Sequence, residues 1–355
     1  MREMTSLERV LAVMNGKMPD RVPVVPQCFM FSATSIGKHI GEINRNPAKL
    51  AEAHMTCQEI YGYDGCVMDI DDATMAEACG ATAIFRDKDV AVIDEKHPVL
   101  ESLEEIDNLK LPDPLKDGRC CEWLETTQRL VDQIGDHVFI MGRADPGAFS
   151  LLTLLRGAQN FMVDLLTEDE DVIFHALDWA NEAHIRFAKA QLMTGAHSSS
   201  MGDSYAGQSL VSPEIYKKFA FPYEKKVVDA LKDVPGYYSI HICGKADKII
   251  DYMGMTGADI LELDWEVNMK DAREILPEKT VLMGNINPSD PLVFGTPGQV
   301  EEQARIIIDG TKGKGLLLSS GCAMGENTKP ENMRAMVEAA KKYGSYDRLC
   351  ELQQI

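Results

Sequence analysis

From about residue 60 onward the chain alternates short apolar runs with longer segments of helical period. The runs are DGCVMDID (64–71), HVFIMGRAD (137–145), HSSSMGDSY (197–205), YYSIHICG (237–244), ADILELDW (258–265), TVLMGNIN (280–287) and KGLLLSSGC (314–322). Gly, Asp or Asn marks the C-terminal end of each, as expected where a strand gives way to a turn. Between them, 157–195, 212–234, 246–257, 269–277 and 296–311 repeat their apolar residues at helical spacing. Ser212-Pro213-Glu214 and Thr296-Pro297 each place an N-cap residue before a proline in the first turn. Strands alternating with helices in this way predict a parallel sheet with helices outside it.

An open doubly wound sheet would show a Gly-rich dinucleotide fingerprint after an early strand. None follows, and about eight strands spread over the whole chain favour closure into an eightfold barrel. The expected fold is therefore α/β, a single (β/α)8 TIM barrel spanning 1–355 with a short helical N-terminal extension. That extension, MREMTSLERVLAVMNGK (1–17), reads as an amphipathic helix.

A length of 355 residues suits such a barrel, and 45% hydrophobic with 26% charged residues is ordinary for a chain that buries a core. The formal charge of −20, from 56 acidic and 36 basic residues, argues against nucleic acid and membrane partners. The N-terminal segment has no continuous apolar stretch of the signal-peptide kind, and no run reaches the ~18 residues of a membrane span. A cytoplasmic location is expected. Nine cysteines, an odd number without a secretory signal, read as thiols rather than a disulfide framework.

The last residues of the runs are Asp69, Asp71 and Asp72; Arg143 and Asp145; Asp203; His241 and Cys243; Glu262 and Asp264; Asn285 and Asn287; and Cys322. In a barrel these side chains converge on one mouth. His241 and Cys243, two apart on a strand, point to the same face, and Cys322 ends the last run. Two thiolates and an imidazole suit zinc, and three protein ligands leave a fourth position for substrate. The same residues also suit a core histidine and two small buried hydrophobes. Their strand-end position and the glycine adjoining each thiol bring the metal reading level with that one. Glu262 and Asp264 again share a face, so either carboxylate is a catalytic candidate beside the three, Asp264 being nearer the strand end.

HICGKADKIIDYMGMTGADILELDW, VLMGNINPSDPLVFGTPGQVEEQARIIIDG and LLLSSGCAMGENTKPENMRAMVEAAKKYG resemble the uroporphyrinogen decarboxylase superfamily, and within it the zinc-dependent cobalamin methyltransferases. TSLERVLAVMNGKMPDRVPVVP and SPEIYKKFAFPYEKKVV extend the likeness over nearly the whole chain. The resemblance implies one eight-stranded barrel, Zn2+ on His241, Cys243 and Cys322, and an acidic residue beside the metal at Asp264. It also implies methyl transfer between a small methylated compound or thiol and a corrinoid carried by a transiently docking partner protein.

Decarboxylases of the superfamily carry arginines in an early loop for propionate groups, whereas PVVPQCFMFSATSIG (23–37) has none, so decarboxylation is not expected. Arg143, Asp203, Asn285, Glu77 and Tyr205 are the candidates for orienting substrate. Arg143 is the one basic group available to an anionic acceptor, and Tyr205 and Trp265 incline the reading towards a neutral or aromatic methyl donor. Two readings compete: a metal-free lyase with Asp69 or Asp71 as acid or base, and a barrel that binds without catalysis.

Overall fold

The computed structural model describes residues 3–69 and 71–354. Met1 and Arg2 of the expected N-terminal helix and Ile70 of the first apolar run lie outside the described residues. All seven runs form strands: β1 (Gly65–Met68), β4 (Phe139–Arg143), β5 (Ser198–Gly202), β6 (Tyr237–Ile242), β7 (Ile260–Leu263), β8 (Val281–Ile286) and β9 (Leu316–Ser320). Between the first two lies an antiparallel hairpin, β2 (Ala83–Arg86) and β3 (Asp89–Ile93), that the hydrophobic pattern does not announce. Its first strand is largely solvent-exposed, so it carries no buried stripe to read.

The seven long-range strands make one parallel sheet in the order β1-β4-β5-β6-β7-β8-β9. The sheet curls strongly: Arg143 on β4 reaches Glu262 on β7, three strands away, at 2.8 Å. At its two outer strands runs the extended segment 22–25. Val25 N–H donates to Leu318 O at 2.8 Å and Leu318 N–H to Pro23 O at 2.9 Å, while Asp64 N–H, just before β1, donates to Val24 O at 2.6 Å. Asp64 also pins this segment from its side chain, accepting from Val24 N–H at 2.8 Å and pairing with Arg9 at 2.6 Å and Arg21 at 2.7 Å.

Alternation along the strands divides the buried residues between two cores. Val67, Phe139, Met141, Ile260, Val281, Met283 and Leu317 fill the inside of the curl, together with Val25 and Phe29. Their strand neighbours Cys66, Ile140, Leu261, Leu282 and Leu318 face the surrounding helices. The N-terminal helix, Ser6–Met14, opens with a capping box between Thr5 and Glu8 and packs Val10 and Val13 into the inner core. Its Leu7 N–H bonds to His137 O, just ahead of β4, so it covers the N-terminal end of the strands.

Two helical expectations are corrected in detail. The segment 157–195 is two helices, Ala158–Thr167 and Glu170–Met193, because Glu168 and Asp169 are extended. Glu170 and Asp171 then start the second helix with charges that suit its positive end. In 212–234 a π-helical turn, Tyr216–Ala220, separates Pro213–Ile215 from Phe221–Leu231. The Phe221 amide bonds five residues back to Tyr216 O, next to Pro222, which has no N–H to continue the ordinary ladder. Among the described residues no helix is long and apolar enough to cross a membrane.

Candidate metal centre

β6 delivers His241 and, one residue past its end, Cys243 to the inside of the curl. The imidazole is buried, and its Nδ1–H donates to the backbone O of Glu262 on the adjacent strand at 3.0 Å. That leaves Nε2 as the ring atom facing Cys243 Sγ, 3.3 Å away. Cys322, two residues beyond β9, brings its Sγ to 3.9 Å from that of Cys243. The three ligand atoms lie within 4.8 Å of one another. Tetrahedral zinc with Zn–S of about 2.3 Å and Zn–N of about 2.0–2.1 Å needs S···S near ~3.8 Å and S···N near ~3.6 Å. The donor set and its spacing therefore fit Zn2+.

Glycines bring the two thiol loops this close. Gly244, at φ +77°, follows Cys243 in a conformation that L side chains rarely adopt. A Cβ on Gly321 would stand 2.3 Å from Trp265 N, so only glycine lets the Cys322 loop lie against the end of β7.

Charge is shared unevenly between the sulfurs. Hydrogen bonding from Cys322, then the His241 charge, hold Cys243 down to about 3 despite burial. Its bond to Cys243 and burial push Cys322 well up. Burial opposes a charge on His241, yet the neighbouring Cys243 sulfur lifts it to about 9. Two sulfurs and a ring nitrogen competing for protons are groups that a divalent cation displaces protons from.

Below the three lies a buried ionic cluster. Arg143 contacts Asp145 at 2.9 Å, Asp69 at 3.2 Å and Glu262 at 2.8 Å, with its guanidinium over the Phe29 ring at 5.3 Å. Glu262 is fully engaged: one oxygen accepts from Arg143, and the other from Ser239 Oγ at 2.7 Å and from Ser200 Oγ. Burial works against its ionisation, but Arg143 outweighs this and holds it below the usual carboxylate range. Ser200 and Ser239 went unnoticed in the sequence, although serines at inward positions of otherwise apolar strands are the visible signal.

Asp264 stands beside His241, Cys243 and Cys322. Its Oδ1 accepts from Glu266 N–H at 3.0 Å, and burial raises its pKa, with the His241 and Cys243 charges also acting on it. Asn285 fixes the loop carrying Asp264, donating to Asp264 O at 2.8 Å and Val267 O at 2.6 Å. Asp203 is tied to β6 through its N–H to His241 O at 2.9 Å, its Oδ1 accepts from Ser150 N–H at 2.8 Å, and burial lifts it to about 6. Tyr205 follows, its N–H on Ser150 Oγ at 3.0 Å. Glu77 is drawn to a different cluster: with Asp71 it binds Arg119, each at 2.6 Å.

A family model described as uroporphyrinogen decarboxylase (URO-D) matches residues 5–343. The methylcobamide:CoM methyltransferase MtbA of Methanosarcina acetivorans is 31% identical over 350 residues, covering 97% of this chain and 99% of that protein. A uroporphyrinogen decarboxylase of Prochlorococcus marinus is 28% identical over 313 residues, 84% of each chain. A methyltransferase structure from Methanosarcina mazei superposes with a TM-score of 0.87 at 25% identity, covering 96% of this chain and 99% of the other. The chain belongs to the uroporphyrinogen decarboxylase family and is closely related to its MtbA-like corrinoid methyltransferases.

Proposed function

We propose that this protein is a zinc-dependent methyltransferase that moves a methyl group between a small methylated compound or thiol and the cobalt of a corrinoid carried by a partner protein. The observation that carries the proposal is the convergence of His241 Nε2 with the sulfurs of Cys243 and Cys322 in a chain related end to end to a methylcobamide:CoM methyltransferase. Zinc in such a site supplies a Lewis acid that lowers the pKa of a thiol or polarises an ether oxygen.

His241, Cys243 and Cys322 are the proposed ligands. Asp264, beside them, is the proposed catalytic carboxylate, holding or releasing a proton as substrate binds. Glu262 takes a positioning role, because its carbonyl orients His241 while its carboxylate is locked to Arg143. Asn285, Asp203 and Tyr205 shape the substrate pocket, the first by holding the Asp264 loop. Arg143, held by three carboxylates, serves the scaffold, and Glu77 acts through Arg119 on the neighbouring loop.

The segment 22–25 is read as the eighth strand, closing one (β/α)8 barrel of residues 1–355 that works in the cytoplasm. Leu210, Trp265 and Phe294, 60%, 47% and 76% exposed in the loops after β5, β7 and β8, give the corrinoid partner an apolar rim to dock on.

Metal analysis of the purified chain tests the reading, followed by absorbance assays with methylcobalamin or cob(I)alamin and a panel of thiols and methyl ethers. One zinc per chain and methyl transfer abolished by chelation are expected. A chain that takes up no zinc and transfers no methyl group in these assays would instead favour the metal-free lyase.

A further inference from the structure

We infer that the mouth takes an uncharged, oxygen-bearing small molecule, held at its non-reacting end by Gln27 and Ser319. This deepens the methyltransferase reading by naming the substrate class, and it rests on that reading for the identity of the reacting end.

Gln27 follows the extended segment 22–25 and is 1% exposed. Neither its Nε2 nor its Oε1 meets a protein partner, and the same is true of Ser319 Oγ, which is 0% exposed. Alternation sets Ser319 on the inner side with Leu317, and Gln27 lies buried between Val25 and Phe29, both of the inner core. The two belong to one corner of the mouth. Ser319 stands in register with Asn285; Gln27 N–H donates to Ser320 Oγ at 3.3 Å, and Gln27 O accepts from Met324 N–H at 2.9 Å, two residues past Cys322. A buried primary amide and hydroxyl without protein partners are costly unless something polar meets them.

Charge decides what that is. The cation nearest the inner core, Arg143, is already surrounded by Asp69, Asp145 and Glu262. A further anion would find no unpaired cation there in a low-dielectric site. An amide and a hydroxyl both donate and accept, so they match a hydroxyl, ether or carbonyl oxygen better than a sulfonate or carboxylate.

The test compares 2-mercaptoethanol with 2-mercaptoethanesulfonate, which share the thiol and differ at the far end. Calorimetric titration of each into the purified full chain reads binding whether or not methyl transfer occurs, so failure of the methyltransferase reading does not obscure the result. The alcohol is expected to bind about tenfold more tightly, the scale of one or two neutral hydrogen bonds. Gln27→Met should remove most of that advantage, leave the sulfonate unchanged and not lower the thermal midpoint, since an apolar isostere relieves an unmatched amide. Equal or tighter binding of the sulfonate, or no heat from the alcohol, overturns the inference. So does a Gln27→Met chain that binds both thiols like the wild type and melts lower, the mark of an amide satisfied by structural water. If that variant does not fold, Ser319→Ala carries the same comparison.

Discussion

The backbone carbonyl of Glu262 accepts the Nδ1–H of His241 at 3.0 Å, while the carboxylate of the same residue accepts from Arg143 at 2.8 Å. One residue thereby sets the tautomer of a proposed metal ligand and is itself immobilised from across the sheet. The ionic cluster and the thiol pair are two storeys of one structure.

Removal of a sulfur tests the upper storey. Cys322→Ser leaves His241 and Cys243 in place but replaces a thiolate with a weaker, neutral donor. Zinc per chain after dialysis should fall well below one, with methyl transfer lost, while the far-ultraviolet circular dichroism is retained. Full zinc occupancy in this variant would remove Cys322 from the ligand set.

The lower storey answers to Arg143→Met. The substitution keeps most of the volume but leaves Asp69, Asp145 and Glu262 buried without their shared cation. Breaking a buried pair from one side costs about 3–5 kcal/mol. Urea unfolding at neutral pH should show a loss of that size, shrinking in acid as the carboxylates take up protons.

Glu224 predicts a pH dependence of stability. Burial first, and then the charge of Asp203, push this carboxyl up to about 8, against the Tyr216 hydroxyl that donates to it at 2.6 Å. In the unfolded chain the group returns to 4.5. Between those values the native chain holds a proton that the unfolded chain has released, so stability falls as pH rises through the window and levels above about 8. Glu224→Gln has no such proton. It should be more stable than the wild type near pH 8 and approach it near pH 5, as read by parallel thermal melts; parallel pH profiles would contradict this.

Gly321→Ala introduces a Cβ 2.3 Å from Trp265 N, and the Cys322 loop must withdraw from the end of β7. Zinc affinity should drop by about tenfold or more, as when a metal site's supporting shell is disturbed, while competition with a chromogenic chelator provides the measurement. An unchanged affinity would show that the loop has room to spare.

Much of this arrangement is legible in the sequence because it depends on local rules. Short apolar runs ended by Gly, Asp or Asn identify all seven sheet strands, and the i, i+2 spacing puts His241 beside Cys243 without any long-range information. What escapes is decided by the curl of the sheet. Nothing local says that Arg143 will be captured by Glu262 from three strands away, so it reads equally well as a substrate anchor. Gln27 escapes for a related reason: its isolation is a property of what surrounds it. The hairpin at 83–93 and the π turn at 216–220 lack a buried periodic face or follow from a proline already inside a helical pattern.

The N-terminal helix, with Val10 and Val13 set into the inner core, bears on the order of events during turnover. On the proposed function, with the helix covering that end, a small reactant and a protein-borne corrinoid both approach from the C-terminal ends of the strands. The small molecule then has to arrive before the corrinoid protein docks and leave after it departs. Steady-state kinetics should therefore follow a compulsory sequence, with the corrinoid protein, in excess, slowing release of the small product.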